Sequence, residues 1–299
     1  MSDILPAVCA PAIRAGHPRP GPGPASGPPA MRRALILGAA AVAAVLLAAP
    51  LAVILASALA EGPRAALAAL AEPAARSAIG LTLLVAAIVM PVNLVVGIAA
   101  AWTVARFDFR GKAALLALIE LPFSVSPVVV GLALVLLYGS GGILAPVLAP
   151  LGVKIVFALP AIVLATLFIT FPFIARALIP LMQEQGAAEE EAALTLGAGP
   201  LRMFLTVTLP NIRWTLLQAV LLCNARAMGE FGAVAVVSGK IRGQTATMPI
   251  MIEMLYNEYL STAAFAMSGL LAALALVTLA LKARLEDVRP GAAAARGHP

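Results

Sequence analysis

Long apolar runs constrain the fold of this chain more than any other feature. Six stretches of twenty residues or more are almost entirely apolar. The hydrocarbon core of a bilayer is ~30 Å thick, which a helix crosses in about 20 residues, and a helix satisfies its own backbone hydrogen bonds in lipid. We therefore predict an all-α polytopic membrane protein with six transmembrane helices, over residues 34–59, 78–101, 113–138, 155–174, 214–237 and 262–281.

The placement of basic residues predicts the orientation of these spans. Because six is an even number, both termini lie on one side of the membrane, and basic residues concentrate on the cytoplasmic side. Fourteen of the 20 lysines and arginines fall on the terminal side: Arg14, Arg19, Arg32, Arg33, Arg106, Arg110, Lys112, Arg176, Arg202, Arg213, Lys282, Arg284, Arg289 and Arg296. We therefore expect cytoplasmic termini, and the net charge of +6 is then no evidence for a nucleic-acid partner.

The chain divides into a spanning domain and two tails. Residues 1–30 are rich in proline and glycine, and a composition with so little apolar area predicts a disordered tail. Residues 31–285 form the six-helix transmembrane domain, and 286–299 are expected to be a disordered cytoplasmic tail. No phosphate loop of the form G-x-x-x-x-G-K-[ST] and no cluster with metal-ligand spacing is found in the sequence. We expect no catalytic residue, metal or cofactor in this chain.

One polar stretch interrupts the apolar pattern, E-E-E-A-A-L-T-L-G-A-G-P-L-R-M-F-L-T-V-T-L-P at 189–210. It lies in the longest cytoplasmic connection, about 176–213. Its pattern predicts a short helix over 189–196, a break at 197–199 and a second helix from Pro200. The second helix has a mostly apolar stripe, formed by Leu201, Phe204, Leu205 and Thr208. The alternative is a solvated loop whose apolar side lies on the membrane surface.

The spacing within this stretch resembles the EAA motif of ABC importer permeases, E-A-A-x3-G-x9-I-x-L-P, with valine in place of isoleucine. In that family the motif forms a coupling helix that docks into a groove on a separate ATPase subunit. The resemblance implies an ATPase-coupling role for Glu191, Ala192, Ala193, Gly197, Val207, Leu209 and Pro210. A separate ATPase also accounts for the missing phosphate loop.

Further regions are similar to the W-type permease subunit of sulfate/thiosulfate importers, and the resemblance extends over about residues 75–285. They are R-F-D-F-R-G-K at 106–112, E-L-P-F-S-V-S-P-V-V at 120–129, R-A-M-G-E-F-G-A at 226–233, S-G-K-I-R-G at 238–243 and L-Y-N-E-Y at 255–259. Molybdate and tungstate permeases share a similar R-x-x-G-E-F-G core. A molybdate/tungstate permease is therefore the alternative within the same class.

The resemblance implies a type I ABC importer permease (MetI-like) architecture in the bacterial inner membrane. It implies four kinds of partner: a T/U-type sulfate permease that completes a heterodimer, two ATPase subunits that bind the ATP, a periplasmic binding protein for sulfate or thiosulfate, and the lipid bilayer. The chain itself is then a non-catalytic subunit, and ATP binding and hydrolysis by its partners drive the alternation of the pathway.

Three charged residues fall inside the predicted spans: Glu120, Arg226 and Glu230. Ionisable groups at that depth face the bundle interior, a cavity or a partner charge. Our hypothesis is that Arg226 contributes positive potential to the anion pathway and Glu230 holds it in place, while a purely structural ion pair is the alternative. Arginine four residues before glutamate is the weaker order for a helical pair, which favours contacts with another helix or with the partner subunit.

Two other classes of function stay open. An ion-coupled secondary transporter would have broken helices in matched halves. The sequence has no matched halves, but Pro122 and Pro127 are positions at which the third span could break. A membrane-embedded enzyme would need a cluster of catalytic side chains at one depth, and the three charged residues do not supply one.

Overall fold

Every regular element in the computed structural model is helical, and the model describes residues 29–288. The helices are α1 (Pro29–Ala58), α2 (Pro63–Ala71), α3 (Pro73–Arg106), α4 (Lys112–Ser124), α5 (Pro127–Tyr138), α6 (Ala145–Leu148), α7 (Leu159–Thr170), α8 (Pro172–Gln185), α9 (Ala188–Thr195), α10 (Pro200–Met203), α11 (Leu209–Met228), α12 (Gly232–Val237), α13 (Met248–Asn257) and α14 (Ser261–Val288). The all-α prediction is confirmed for this part of the chain. The two predicted tails lie outside the described residues, except for the first residues of α1 and the last residues of α14.

Proline begins many of these helices. Its missing N–H costs nothing in the first turn, and its fixed φ suits a helix. The helices that begin at proline include α2, α3, α5, α8 and α10. The chain divides into two compact units, with most of α1 in the first, which ends at Pro50. The second unit begins at Leu51 and contains α2 to α14.

Within residues 29–288, four helical stretches are long and apolar enough to cross a membrane: Met31–Ala58, Pro73–Arg106, Leu159–Gln185 and Ser261–Leu285. A fifth crossing is added if the bent pair α4 and α5 counts as one span. The predicted number of six is therefore not confirmed by length and composition. The segment left over is the fifth predicted span, whose main helix α11 carries Arg213 and Arg226.

The single helix predicted over 113–138 is wrong. The chain turns by 109° between α4 and α5. The two residues at the break, Val125 and Ser126, are both extended, with ψ of 134°. Pro127 explains the bend, because proline disfavours the helical conformation in the residue before it and cannot donate a backbone hydrogen bond.

The fifth predicted span is also interrupted, at residues 229–231 between α11 and α12. α12 packs tightly against α5. A Cβ atom on Gly131 would lie 2.7 Å from the carbonyl oxygen of Ala233, and one on Gly232 would lie 2.9 Å from Cβ of Pro127. No side chain fits at either distance, so glycine permits the close approach of the two helices that follow the breaks.

One of the buried clusters of the second unit lies where α3, α8 and α11 meet, and its residues are Ala101, Ile174, Leu178, Met182, Ile212, Leu216, Ala219 and Cys223. A polar contact joins this region to α7: Nδ2 of Asn93 donates to Oγ1 of Thr170 at 2.7 Å, and both side chains are fully buried. Interhelical hydrogen bonds of this kind contribute about 0.6 kcal/mol each in membrane proteins. The packing fixes the end of α3 beside α8 and α11, which flank the candidate site.

Candidate functional site

The polar stretch folds as two short helices outside the candidate spans, over residues 188–208, here called the 188–208 segment. α9 occupies Ala188–Thr195, and α10 continues through a π turn at Phe204–Thr208 into α11. The prediction of a helix, a break at 197–199 and a second helix from Pro200 is confirmed. Three glutamates in the first turn of α9 lie where the helix dipole favours negative charge.

Gly197 ends α9 in a left-handed conformation, with φ of 87°. Its N–H donates to the carbonyl of Leu194 at 3.0 Å, and the N–H of Ala198 donates to that of Ala193 at 3.0 Å. This pair of bonds is the Schellman motif, which satisfies the last carbonyls of a helix and reverses the chain.

The 188–208 segment presents apolar side chains to its surroundings. Leu196 is 88% exposed and Leu201 is 72% exposed, and Leu194 and Leu205 are exposed as well. Leucines on both sides of the Gly197 turn thus form an apolar surface outside the spans, which is unusual for a segment in contact only with water. This surface needs a partner or the membrane surface to cover it.

The predicted stripe on the second helix is only partly correct. Leu201 and Leu205 are exposed, whereas Thr208 is 2% exposed and Phe204 is half-buried against the body of the unit. The π turn is the reason, because it adds a residue to one helical turn and so rotates the residues after it. The stripe therefore divides into an outward part and an inward part.

The residues of the EAA-like pattern are distributed over both faces of the segment. The carboxylate of Glu191 is exposed and has no hydrogen bond or ion pair in the described part of the chain. Ala192 and Pro210 are also exposed, whereas Ala193, Val207 and Leu209 are half-buried. Glu191 is thus available to a partner.

Glu190, rather than Glu191, is the buried member of the glutamate run, and sequence reasoning missed it. Its carboxylate forms a two-point ion pair with Arg106 at the end of α3, with distances of 2.8 Å from Nε to Oε2 and 3.1 Å from Nη2 to Oε1. Nη1 of Arg106 donates to the carbonyl of Met182 at 2.6 Å, and the Thr208 hydroxyl donates to Oε1 of Glu190 at 2.8 Å. The available signal was Arg106 itself, an arginine that ends a long apolar helix.

Arg226 and Glu230 pair directly with each other, which the helical order rule did not favour. Nη1 of Arg226 lies 2.7 Å from Oε2 of Glu230, although this contact is not aligned as a hydrogen bond. The other oxygen, Oε1, accepts the backbone N–H of Ala233 at 3.1 Å. The helical order rule does not apply because α11 ends at Met228, which places Glu230 beyond the helix.

The surroundings of this pair are asymmetric. The side chain of Glu230 is 1% exposed, whereas that of Arg226 is 35% exposed. Gly232 allows close approach to α5, whereas a Cβ on Gly229 would meet only carbonyls of its own helix, at 3.6 Å or more. The carboxylate is thus fixed inside the unit, and the guanidinium reaches its surface.

Glu120 lies apart from that pair, on the exposed side of α4. It lines a surface cavity of about 560 Å³ together with Arg176 of α8 and Ser124. The Arg176 guanidinium stacks over the Phe123 ring at 4.7 Å, and neither Glu120 nor Arg176 forms an ion pair within residues 31–285. Charged groups on a spanning unit do not face lipid, so this surface faces a partner subunit or water.

Charged residues in the connections form local pairs. The hydrogen bond from Lys112 holds the pKa of the exposed Asp108 carboxyl below its usual value. In the connection after α12, the hydrogen bond with Glu258 raises the pKa of Arg242, and Lys240 pairs with Glu253 at 2.7 Å.

The chain matches known transport proteins over most of its length. The family model of the binding-protein-dependent transport system inner membrane component matches residues 93–287. The chain is 49% identical over 245 residues to the sulfate transport system permease protein CysW of Escherichia coli (strain K12), covering 82% of this chain and 84% of that protein. It is 53% identical over 212 residues to CysW of Synechocystis sp., covering 71% and 77%.

Two more distant comparisons extend these findings. The sulfate transport system permease protein CysT of Salmonella typhimurium is 35% identical over 208 residues, which cover 70% of this chain and 75% of that protein. Among solved structures, a chain of a bacterial alginate ABC transporter in complex with its alginate pentasaccharide-bound periplasmic protein superposes with a TM-score of 0.72 at 16% identity, covering 86% of this chain and 93% of that one. That likeness concerns the fold alone.

Proposed function

The chain belongs to the family of binding-protein-dependent transport system inner membrane components, and we propose that it is the W-type permease subunit of an ATP-driven importer of sulfate or thiosulfate. The observation that carries the proposal is the 188–208 segment, which joins EAA-like spacing to a helix, a glycine turn and exposed leucines. The CysW proteins of two organisms, both about half identical to this chain, support sulfate as the substrate class.

In this proposal α11 and α12 together form one further crossing, the fifth in chain order, which brings the total to six. The architecture is that of a type I importer permease. Both termini and the 188–208 segment then lie in the cytoplasm. The excess of lysine and arginine on that side supports this orientation. The interruption at residues 229–231 is compatible with a crossing because the N–H groups of Gly229 and Glu230 donate to carbonyls of α11, and the Glu230 carboxylate accepts the N–H of Ala233.

The proposed partners follow from two surfaces of the unit, the exposed leucines of the 188–208 segment and the surface around Glu120 and Arg176. Two separate ATPase subunits bind the ATP, and one of them covers the exposed leucines and contacts Glu191. A T/U-type permease completes the heterodimer, and the unpaired charges of Glu120 and Arg176 face this partner or the pathway between the two subunits. A periplasmic protein delivers the anion. This chain then has no catalytic residue and no cofactor of its own.

We place Arg226 in the anion pathway, with Glu230 as the residue that orients it. The exposed guanidinium and the buried carboxylate support these different roles. A transporter must also release its substrate, and the nearby carboxylate reduces the attraction of Arg226 for a dianion. We place Glu120 on the same proposed pathway, in the second half of α4.

Uptake by the reconstituted complex tests the proposal. Proteoliposomes containing this chain, the T/U-type permease and the ATPase should accumulate labelled sulfate when ATP is inside and sulfate-loaded binding protein is outside. Complexes without the ATPase should take up none. Uptake that persists without the ATPase but stops when an ionophore collapses the proton or sodium gradient would replace the importer with an ion-coupled transporter, a class that the bent pair α4 and α5 keeps open.

A competition experiment separates the oxyanions. Unlabelled thiosulfate should reduce sulfate uptake at similar concentrations, and molybdate should do so only weakly. If molybdate or tungstate is taken up in preference to sulfate with its own binding protein present, the alternative within the same class is correct.

A further inference from the structure

The orientation of α9 depends on contacts rather than on its chain connections. Gly186 precedes it, with φ of 66° and open space around its Cβ position, and Gly197 follows it. Glycine is the residue with the most permissive backbone conformation, so glycines at both ends of α9 do not fix the direction of the helix. The angle between α9 and the rest of the unit is therefore set by side chains.

The last turn of α3 supplies these side chains at two points. Arg106 holds α9 through Glu190, and the Trp102 ring contacts that of Phe204 in the π turn at 5.7 Å between centroids. Trp102 and Arg106 are four residues apart and so lie on one face of α3. Both α9 and the π turn of the 188–208 segment thus contact the same end of α3.

The Arg106–Glu190 pair is rigid as well as buried. The side chains are 8% and 9% exposed, and two parallel N–H···O bonds fix the angle between the groups as well as their separation. Nη1 of Arg106 also donates to the Met182 carbonyl, and Oε1 of Glu190 also accepts the Thr208 hydroxyl. Movement of α9 therefore displaces α3, α8 and the start of α11 together.

Stability alone does not account for such a pair. Replacing both members of a buried ion pair by apolar residues of similar volume is often neutral or stabilising. We propose that Arg106 and Glu190 are positioning residues that transmit the displacement of α9 to α3 and so couple ATP hydrolysis to transport. This inference rests on the proposed function, which places the ATPase against α9.

The test compares the ratio of sulfate taken up to ATP hydrolysed in the reconstituted complex. The double variant Arg106→Met with Glu190→Leu removes the pair without leaving a buried charge. It should assemble with its partners and hydrolyse ATP, while the ratio falls at least about fivefold, the lower range of coupling between sites. Arg106→Lys retains the charge but not the two-point geometry, and it should lower the ratio by a smaller factor.

The exposed pair Asp108–Lys112 provides a matched control, because it lies in the same turn region and does not contact α9. The double variant Asp108→Asn with Lys112→Gln should keep the ratio within about twofold of wild type. The inference is overturned if Arg106→Met/Glu190→Leu keeps the wild-type ratio, or if both Arg106 variants lose assembly, hydrolysis and uptake in parallel. Failure of the wild-type complex to need an ATPase would refute the proposed function instead.

Discussion

Replacing Gly197 by valine isolates the contribution of one backbone angle to ATPase docking. The residue has φ of 87°, and an added Cβ meets no atom within 4 Å. The whole cost is therefore conformational strain and not a clash. An L-residue in the left-handed region costs about 1–2 kcal/mol, and a β-branched residue lies at the upper end.

That strain sets the size of the expected effect. If the valine variant escapes it by abandoning the Schellman turn, the docking-competent shape becomes less populated by up to about 5- to 30-fold. The apparent affinity for the ATPase falls by the same factor, because only the competent fraction binds. The variant should still insert and pair with the T/U-type permease, since Gly197 is exposed and lies outside the candidate spans.

The assay measures ATPase binding to the purified permease heterodimer and uptake of labelled sulfate by the full complex. Gly199→Val is the matched control: Gly199 lies two residues away, also has open space around it, and has φ of −68°, which valine accepts readily. It should bind with nearly wild-type affinity. Equal behaviour of the two variants would refute the strain argument, and normal docking by Gly197→Val would refute the assignment of the 188–208 segment as the ATPase contact.

The remaining predictions concern charge and packing. Glu191→Lys should weaken ATPase binding by about tenfold or more, since a charge facing the partner is reversed. Glu189→Lys should have less than about a twofold effect, because that carboxylate is already hydrogen-bonded within the chain. Equal losses for the two variants would indicate that the glutamates only face solvent. Arg226→Gln should assemble and lose most sulfate uptake, and Glu230→Gln should be milder. The double variant Arg226→Glu with Glu230→Arg should not restore uptake, because an arginine at position 230 cannot accept the hydrogen bond from the Ala233 N–H at the start of α12. Recovery of wild-type uptake by this variant would show that the pair is purely structural. Gly131→Val should destabilise the unit by about 1–3 kcal/mol in thermal unfolding, and an unchanged midpoint would contradict the tight packing of α5 on α12.

The outline of the 188–208 segment could be predicted from sequence because its signals are local. Three glutamates in a first turn, a glycine after the last turn and Pro200 at a helix start each act within a few residues. For the same reason the sequence identified the apolar spans and the all-α class. Local signals were weaker where the predicted spans are interrupted. Pro127 marked the position of the 109° bend between α4 and α5, but the apolar pattern is the same for a bent pair of helices and for a straight span.

The sequence by itself determined that this chain is helical, spans a membrane and exposes a helical segment with EAA-like spacing, since composition and short-range backbone preferences are enough for those conclusions. Only the tertiary structure decided which charges meet. Glu190 pairs with Arg106 across 84 positions of sequence, although Glu189 and Glu191 are chemically identical neighbours. The burial of one and the exposure of the others depend on the rotation of α9 against α3, which is a property of packing between distant elements and has no local signal in the sequence.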